Sequence, residues 1–310
     1  MRAPRAVLIF LGMNEAPLIE YLVRPQPEDP RLTRRMSGVD QEGREIETAV
    51  VVERPLTLFL NGQEIVTMMT IGDYPDYLAV GYLINQNMLK QDDRIAGIDY
   101  DEELETVVVR TEHATDFEQK LKKKTLTSGC AQGTVFGDLM ERFEEVSLPK
   151  NAVLRTSWIY ALSKQINLTP SLYLNAGAIH GCCLCDQDRP LIYMEDVGRH
   201  NAIDKIAGYM RLHQITAADK LFYTTGRLTS EMVIKTVQMG IPILISRSGF
   251  TAWGVELARK ADLTLIGRAK GKRFVALAGE HRLIFDSDPG TVAEEAARHG
   301  RKGARSDDGE

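Results

Sequence analysis

The sequence predicts an α/β protein in which a larger C-terminal domain has three layers and a smaller N-terminal domain is α+β. From Ser171 onward, short apolar runs alternate with segments of helical periodicity, which is the pattern of a sheet covered by helices. Upstream, Asn61-Gly62 lies between two alternating runs and indicates a β-hairpin. The 310 residues are enough for two hydrophobic cores of this kind.

The composition indicates a soluble protein and argues against two classes of function. With 44% hydrophobic residues, 26% charged residues and a formal net charge of -5, the chain lacks the basic excess of a general nucleic-acid binder. No apolar run approaches the roughly 18 residues that a membrane span requires. The apolar run from Ala6 to Leu11 is shorter than that of a usual signal peptide, so we interpret the N-terminus as a nonessential extension.

The four cysteines indicate a reducing, cytoplasmic location. Cys130 stands alone, whereas Cys182, Cys183 and Cys185 are clustered. Adjacent cysteines on one strand cannot all pair with each other, and the chain is not small and disulfide-rich.

The N-terminal region is predicted to contain a loose arm and then a small α+β domain. Residues 1–47 mix Pro, Arg and Glu with little periodicity, which is typical of an arm. The domain covers residues 48–125 and begins with an alternating hairpin from Pro55 to Met69. Its further predicted elements are a helix opened by Asp73 and Pro75 and ending near Asn87, and strands at 95–100 and 106–110.

A connecting region over residues 126–170 is predicted to hold the Cys130 loop and two helices, and the α/β domain follows over residues 171–285. Residues 286–310 are charged, glycine-rich and aromatic-free, so we expect them to be a disordered tail. The strands predicted in the α/β domain are 178–185, 191–195, 221–225, 241–246, 263–266 and 275–277, and its helices are 201–214, 229–239 and 251–261.

The most chemically dense run is EDVGRHNAIDK, from Glu195 to Lys205, where a buried strand turns into a helix. Gly198 supplies the freedom that a tight turn requires, and Asn201 is placed to cap the helix. Such turns at the carboxyl end of a sheet collect ligand-binding groups in α/β folds. The run is interpreted either as a structural salt-bridge cluster or as part of a pocket, and the polar turns near it favour the pocket.

Other turns of the same domain carry groups suited to anions. Thr224–Glu231 and Ser246–Thr251 each follow a strand and open a helix, where hydroxyls and backbone N–H groups bind anions. The loop Arg268–Arg273 has four cations around Gly271, and such cations form charge-assisted hydrogen bonds with phosphate. Each turn alone could be an ordinary solvated turn or a capped helix, but together they suggest one anion-binding rim.

Cys130 is the best single candidate for reactive chemistry. It lies among the small residues Ser128, Gly129 and Ala131, just after a lysine-rich run. An exposed loop with positive surroundings lowers the pKa of a thiol and favours the reactive thiolate. The alternative, an incidental surface cysteine, stays open on local sequence alone.

A zinc site at His180 is disfavoured. Zinc deaminases combine H-x-E with a later P-C-x-x-C, and this chain has neither pattern around its histidine and cysteines. A strand would also turn Cys182, Cys183 and Cys185 to alternate faces. We therefore expect buried cysteines that act as small hydrophobic residues, with no metal bound directly by the protein.

Together these segments resemble the FdhD family, the formate dehydrogenase accessory sulfurtransferases, from about Glu53 to Phe285. The matching motifs are RPLTLFLNG, YLAVGYL, the Cys130 loop, AGAIH, EDVGRHNAIDK, TTGRLTSEMVIK, GIPILISRSGFTAWGVELA and LTLIGRAKGKR. The resemblance implies a cytidine-deaminase-like three-layer domain without zinc ligands, a small α+β domain and a homodimer.

The resemblance further implies sulfur transfer. A cysteine desulfurase would load a persulfide onto Cys130, and the sulfur would pass to the molybdenum bis(molybdopterin guanine dinucleotide) cofactor that formate dehydrogenase requires. The catalytic residue carried over is Cys130. The residues implied in cofactor binding are Arg268, Ala269, Lys270, Gly271, Lys272, Arg273, Asp196, Arg199, His200 and Arg227.

The sequence departs from the family pattern in ways that affect this expectation. The C-x-x-C common in the family's loop has Gly133 at its second position here, so an internal loop disulfide cannot form. The family's TGG reads Ala176-Gly177-Ala178, and its SAPT-like turn reads Ser248-Gly249-Phe250-Thr251. Two other functions compete with sulfur transfer: a noncatalytic chaperone that binds and delivers the cofactor, and a zinc hydrolase.

Overall fold

The computed structural model describes residues 21–90, 92–113, 115, 125–126, 133–134 and 136–287. Over these residues the protein is a mixed α/β fold with seven helices and with seventeen strands in five sheets. Cys130 and its loop, residues 1–20 and the predicted tail from residue 288 lie outside the described residues. None of the described helices is long and apolar enough to cross a membrane.

Residues 21–47, predicted to belong to a loose arm, contain regular structure. Strand β1 (Leu22–Arg24) lies at the edge of the large sheet, and β2 (Thr33–Val39) pairs antiparallel with β3 (Glu45–Val51). The prediction is therefore wrong over this stretch. The β2–β3 hairpin is exposed along most of both strands, so it mixes charged and apolar residues without the alternation that reveals a half-buried strand.

A four-stranded sheet with one helix forms the next unit. Leu56 and Leu58 share a buried core with Leu78 of the helix, and Asn61 has a left-handed φ of 54° in the predicted Asn-Gly turn. The strand order is β5-β4-β7-β6. The elements are β4 (Arg54–Leu60), β5 (Gln63–Thr70), α1 (Pro75–Asn85), β6 (Ile95–Asp101) and β7 (Thr106–Thr111).

Short elements connect the two main sheets: β8 (Thr125–Leu126), β9 (Gly133–Thr134), α2 (Phe136–Glu145), β10 (Leu154–Arg155), α3 (Thr156–Leu168) and α4 (Leu172–Ala176).

The start of α3 is capped by Asp286, whose carboxylate accepts hydrogen bonds from the Ser157 amide (3.0 Å) and hydroxyl (2.7 Å). These bonds lower the pKa of Asp286 to about 2. The first residue of the predicted disordered tail is thus anchored.

The large sheet has the order β1-β12-β11-β13-β14-β15-β16. Strands β13, β14 and β15 run parallel, so their carboxyl ends meet at one edge. The elements are β11 (His180–Asp186), β12 (Arg189–Asp196), α5 (Arg199–Leu212), β13 (Lys220–Thr224), α6 (Ser230–Gln238), β14 (Ile243–Ser246), α7 (Ala252–Lys260), β15 (Thr264–Lys270), β16 (Arg273–Ala278), a 3-10 turn (Glu280–Arg282) and β17 (Leu283–Ile284).

Successive residues of β11 enter two different cores. Cys182 and Leu184 share one core with apolar residues of α5, α6 and α7, whereas Cys183 and Cys185 share the other with residues of α3. This alternation is what a strand with helices on both of its faces produces. It also agrees with the expectation that these cysteines are buried.

The two main sheets are joined where α1 crosses α5, and two glycines allow the crossing. A Cβ on Gly81 would lie 1.7 Å from the carbonyl oxygen of Asp204, and a Cβ on Gly208 would lie 1.9 Å from that of Tyr77. Both obstacles are backbone atoms, which cannot rotate away. The helices therefore approach at a distance that only glycine permits.

We expect Gly81→Ala to lower the free energy of unfolding by about 3 kcal/mol, because the added methyl group overpacks a backbone contact. Urea denaturation of the full chain measures the effect. Gly97→Ala is the control, since no atom lies within 4 Å of the Cβ position there. Equal stability of the two variants would contradict the close crossing.

Candidate functional site

A cavity of about 970 Å³ lies at the edge where the parallel strands end. Its wall includes five cations and no carboxylate among the described residues that line it. Thr225, Ser248 and Gly249 add hydroxyl and backbone groups from the turns after β13 and β14. The lining cations are Arg247, Arg268, Lys270, Lys272 and Arg273. The cavity is therefore strongly electropositive and suited to an anion.

The loop predicted to bind phosphate forms part of this wall. It is a tight turn between β15 and β16, in which Lys270 pairs with Arg273 and Gly271 has a left-handed φ of 56°. The ladder is irregular between Gly267 and Lys270, and Arg268 also has a positive φ of 56°. The Arg268 amide donates to the carbonyl of Ser248 at 2.7 Å. The irregular backbone thus ties the cationic turn to the turn that follows β14. Ala269, by contrast, is fully buried.

A smaller cavity of about 380 Å³ adjoins the first and shares Thr225, Arg247 and Lys270 with it. The guanidinium of Arg247 lies 4.5 Å from the ring centroid of Tyr173, which is the second residue of α4. This cation–π contact fixes the arginine at the junction of the two cavities. Sequence reasoning missed Tyr173 and Tyr160, because nothing in their own helices indicates that they face the cationic turns.

Arg199, His200 and Arg227 gather beside a residue that the sequence reasoning did not select for the site, His180 at the start of β11. Burial lowers the pKa of His180, and its electrostatic interactions with Arg199, His200, Arg247 and Arg227 lower it further. The neutral form of His180 is therefore favoured at pH 7. Its place in the AGAIH motif was the one signal in the sequence that could have identified it.

Asp196 is placed away from both cavities, in a buried ion-pair network. Its carboxylate lies 2.5 Å from the ammonium of Lys205 and accepts hydrogen bonds from the Thr70 hydroxyl (2.6 Å) and the Asn201 amide (3.0 Å). Lys205 also contacts Asp73 and donates to the carbonyl of Glu195 at 3.0 Å. For Asp196, the structure therefore matches the salt-bridge interpretation of the motif.

Burial by itself would lower the pKa of Lys205, but the carboxylates of Asp196 and Asp73 outweigh it and raise that pKa. The lysine is therefore charged at neutral pH although it is fully buried. His200 has a related structural contact, since its Nε2 lies 2.9 Å from a Glu231 carboxylate oxygen on α6. Burial lowers the pKa of His200 despite this bond.

Comparison with known proteins identifies the family of this chain. Residues 51–284 match the FdhD/NarQ family. The chain belongs to this family. The resemblance inferred from the motifs is thus confirmed. A sulfur carrier protein FdhD from Bacillus pumilus is 32% identical over 230 residues, which are 73% of this chain and 86% of that protein. One from Wolinella succinogenes is 31% identical over 236 residues, which are 74% and 80% of the two chains.

The fold is also similar to a solved structure. A crystal structure assigned to a formate dehydrogenase accessory protein from Desulfotalea psychrophila superposes with a TM-score of 0.66 at 25% identity. The similarity covers 81% of this chain and 98% of the other.

Within this member of the FdhD/NarQ family, the three clustered cysteines are all fully buried. Burial raises the pKa of Cys182 to about 12, and burial together with Cys185 raises that of Cys183. Among the described residues, no cluster of three or more His, Cys, Asp or Glu could hold a metal ion. The described cysteines are therefore structural, and Cys130 lies outside the described residues.

Two lysine substitutions distinguish the buried network from the cavity. We expect Lys205→Met to lower the free energy of unfolding by about 3–5 kcal/mol, because two carboxylates lose their buried partner. The same change at Lys270, on the cavity wall, should alter stability by less than about 0.5 kcal/mol. Urea unfolding of both variants measures this, and a small effect at Lys205 would contradict the structural role of the network.

Proposed function

We propose that this chain is a sulfur carrier that accepts a persulfide on Cys130 from a cysteine desulfurase and passes the sulfur to the molybdenum bis(molybdopterin guanine dinucleotide) cofactor. The client would be formate dehydrogenase. The names of the relatives, sulfur carrier protein and formate dehydrogenase accessory protein, support this class of function. The observation that carries the cofactor assignment is the cavity with five cations and no lining carboxylate.

The cofactor is the substrate of this reaction, and the cavity walls suit its chemistry. Its pyrophosphates would bind the cations of the Arg268–Arg273 turn, since Arg and Lys form strong charge-assisted hydrogen bonds with phosphate. Tyr173, stacked with Arg247, would offer an aromatic and cationic surface to a planar base. Arg199, His200 and Arg227 would act from the neighbouring cluster, whereas Asp196 would support the site through Lys205.

Several finer features complete the proposal. The large sheet with its helices would be the cytidine-deaminase-like domain, covering residues 171–285, with the small α+β domain over residues 48–125 and the connecting region over residues 126–170. The protein would act in the cytoplasm as a homodimer. Helices on both faces of the large sheet support the domain assignment.

Loading is a thiol exchange. The thiolate of Cys130 attacks the terminal sulfur of the desulfurase persulfide, a new S–S bond forms on Cys130, and the donor cysteine leaves as a thiolate. The oxidation state of the transferred sulfur does not change in this step. Delivery as sulfide, however, requires two electrons, which a thiol supplies when it becomes part of a disulfide.

The deciding experiment is intact-mass analysis after incubation with a cysteine desulfurase and cysteine. We expect one sulfur adduct that maps to Cys130, and we expect Cys130→Ser to lose both the adduct and the formate dehydrogenase activity of a host that depends on this protein. Circular dichroism checks that the variant folds. Full activity with Cys130→Ser would refute sulfur transfer.

That outcome would favour the second candidate function, a chaperone that delivers the cofactor without carrying sulfur. The cavity supports this alternative because its cations are independent of any thiol. Both functions require binding, so we expect Lys270→Gln to weaken the affinity for guanosine diphosphate, used as a probe, about fivefold, equivalent to roughly 1 kcal/mol. Lys150→Gln, an exposed lysine that does not line the cavity, is the matched control for calorimetry. Equal affinities would exclude this cavity as the binding site.

Release of the sulfur should depend on an added thiol. Gly133 replaces the second loop cysteine, and Cys182, Cys183 and Cys185 are buried in β11, between two neighbouring strands. We expect the loaded protein to release sulfide only after dithiothreitol is added, whereas Gly133→Cys should release it without dithiothreitol by closing an internal disulfide. Thiol-independent release by the unmodified protein, measured with a sulfide assay, would contradict this.

A further inference from the structure

A further cavity of about 380 Å³ lies where three helices end, and we call it the helix-end cavity. Ile84, Arg211 and Gln238, from the last turns of α1, α5 and α6, contribute to its wall. None of the described residues that line it also lines the cavity of about 970 Å³ (the cationic cavity) or the smaller cavity beside that one. Its volume is within the range of small-molecule sites, about 300–1,000 Å³.

Much of the wall of the helix-end cavity is apolar. Ala207 and Met210 of α5 are only 5% and 7% exposed, so they form a buried floor. Ile215, Ala217 and Met239 line it as well and pack against the same core. Methionine side chains adapt their shape to a bound apolar group. An apolar wall with a few polar groups is typical of sites for small organic molecules, whereas the cationic cavity has a far more polar wall.

The charged groups of the helix-end cavity all have the same sign. Lys90, Arg142 and Arg211 line it, and no carboxylate does so among the described residues of the wall. None of these three cations forms an ion pair with a described carboxylate. The carboxylate of Asp93 accepts a hydrogen bond from the backbone amide of Lys90 (2.7 Å), not from its ammonium.

Neutral oxygen atoms hold both guanidinium groups in place. Arg142 donates from Nη1 to the side-chain oxygen of Asn87 at 2.9 Å, and Arg211 donates from Nη2 to the backbone carbonyl of Asp93 at 2.7 Å. Since a guanidinium has five N–H donors, each arginine keeps donors for a ligand. Burial lowers the pKa of Arg142, and the carboxylate of Glu145 acts in the opposite direction, yet the group stays charged at neutral pH. A half-buried cation held only by neutral acceptors would be stabilised by an anion.

The helix ends offset only part of this charge. The carbonyl end of a helix is equivalent to roughly half a negative charge, so the ends of α1, α5 and α6 together supply about −1.5. The three cations supply twice that charge with the opposite sign. Complementing the helix dipoles therefore explains one or two of the cations, and the cavity stays electropositive.

We propose that the helix-end cavity binds a small organic anion that has an apolar body and a carboxylate group. The apolar body lies against Met210, Ile215 and Met239, and the carboxylate accepts charge-assisted hydrogen bonds from the arginines. The inference depends neither on sulfur transfer nor on binding of the molybdenum cofactor, because no described residue of this wall belongs to the cationic cavity.

Isothermal titration calorimetry of the full chain tests the site, with decanoate and naphthoate as probes. We expect saturable binding of at least one probe to a single site. Arg142→Gln and Arg211→Gln should each raise its dissociation constant at least about tenfold, equivalent to roughly 1.4 kcal/mol. The matched control is Arg34→Gln, which removes an exposed arginine of β2 that lines none of the three cavities and should change the constant less than about twofold. Circular dichroism checks that each variant folds.

Two neutral or truncated probes separate the contributions of charge and apolar surface. Decanol has an apolar body without the carboxylate, and acetate has the carboxylate without the body. Each should bind at least about tenfold more weakly than decanoate. Equal affinity for decanol would exclude anion recognition, equal affinity for acetate would exclude recognition of the apolar body, and either result would overturn the proposal.

The two electropositive cavities are distinguished by exchanging variants and probes. Lys270→Gln, in the cationic cavity, should leave the decanoate affinity within about twofold, and Arg142→Gln should leave the guanosine diphosphate affinity equally unaffected. Loss of decanoate binding in Lys270→Gln but not in Arg142→Gln would place the anion in the cationic cavity and overturn the proposal. Absence of saturable binding by both decanoate and naphthoate would also overturn it, without bearing on sulfur transfer by Cys130.

Discussion

The arrangement of the whole molecule depends on the buried contact of Lys205 with Asp196 and Asp73. These residues come from α5, from the end of β12 and from the segment before α1, so one ammonium joins the small sheet to the large one. Such a network contributes little net stability compared with apolar packing, but it is costly to break because an unpaired charge would stay buried. Its value is geometric. With Gly81 and Gly208 setting the distance between α1 and α5, it fixes the start of α5, where Arg199 and His200 approach His180.

The EDVGRHNAIDK motif therefore contains charged residues with two different roles. Asp196 and Lys205 are buried and neutralise each other, whereas Arg199 faces the cluster around His180 that adds to the positive field near the cavity. The field has a topological origin, because parallel strands β13, β14 and β15 end at one edge and their turns must meet there. The β15–β16 turn then adds cations from a hairpin instead of a helix start. The positive charge of the cavity wall therefore comes from the convergence of these turns and not from any one of them.

The sequence predicted the helices and strands that have a clear hydrophobic periodicity. It did not predict the features that depend on contacts between residues far apart in the chain. The Pro55–Met69 hairpin and the alternating strands and helices after residue 178 appear in the structure because burial imposes alternation on their side chains. The β2–β3 hairpin was not predicted, because most of its residues are exposed and burial therefore imposes no alternation of apolar and polar side chains on it. For Asp196, the residue type fits a pocket and a salt bridge equally well, and only the position of Lys205, nearly two helical turns into α5, distinguishes them. Tyr173 reaches Arg247 across 74 residues of sequence, a contact that no local signal contains.

The proposed delivery of sulfide requires electrons, and the described cysteines are not placed to supply them. Burial raises the pKa of Cys182 to about 12, so this residue is a neutral thiol at pH 7, whereas the thiolate is the form that attacks a persulfide. Its side chain lies in the core beneath α5, α6 and α7, so exposing the thiol would require these helices to move away from the sheet. The unfolding free energy of the large core therefore adds to the barrier for any internal exchange by these residues. Under the proposed function, a chain that keeps these three thiols inert and lacks a second loop cysteine would separate sulfur loading, which needs only Cys130, from sulfide release, which needs a reductant. Such a carrier would not discharge itself, so its delivery step would be controlled by whichever thiol reaches the persulfide on Cys130.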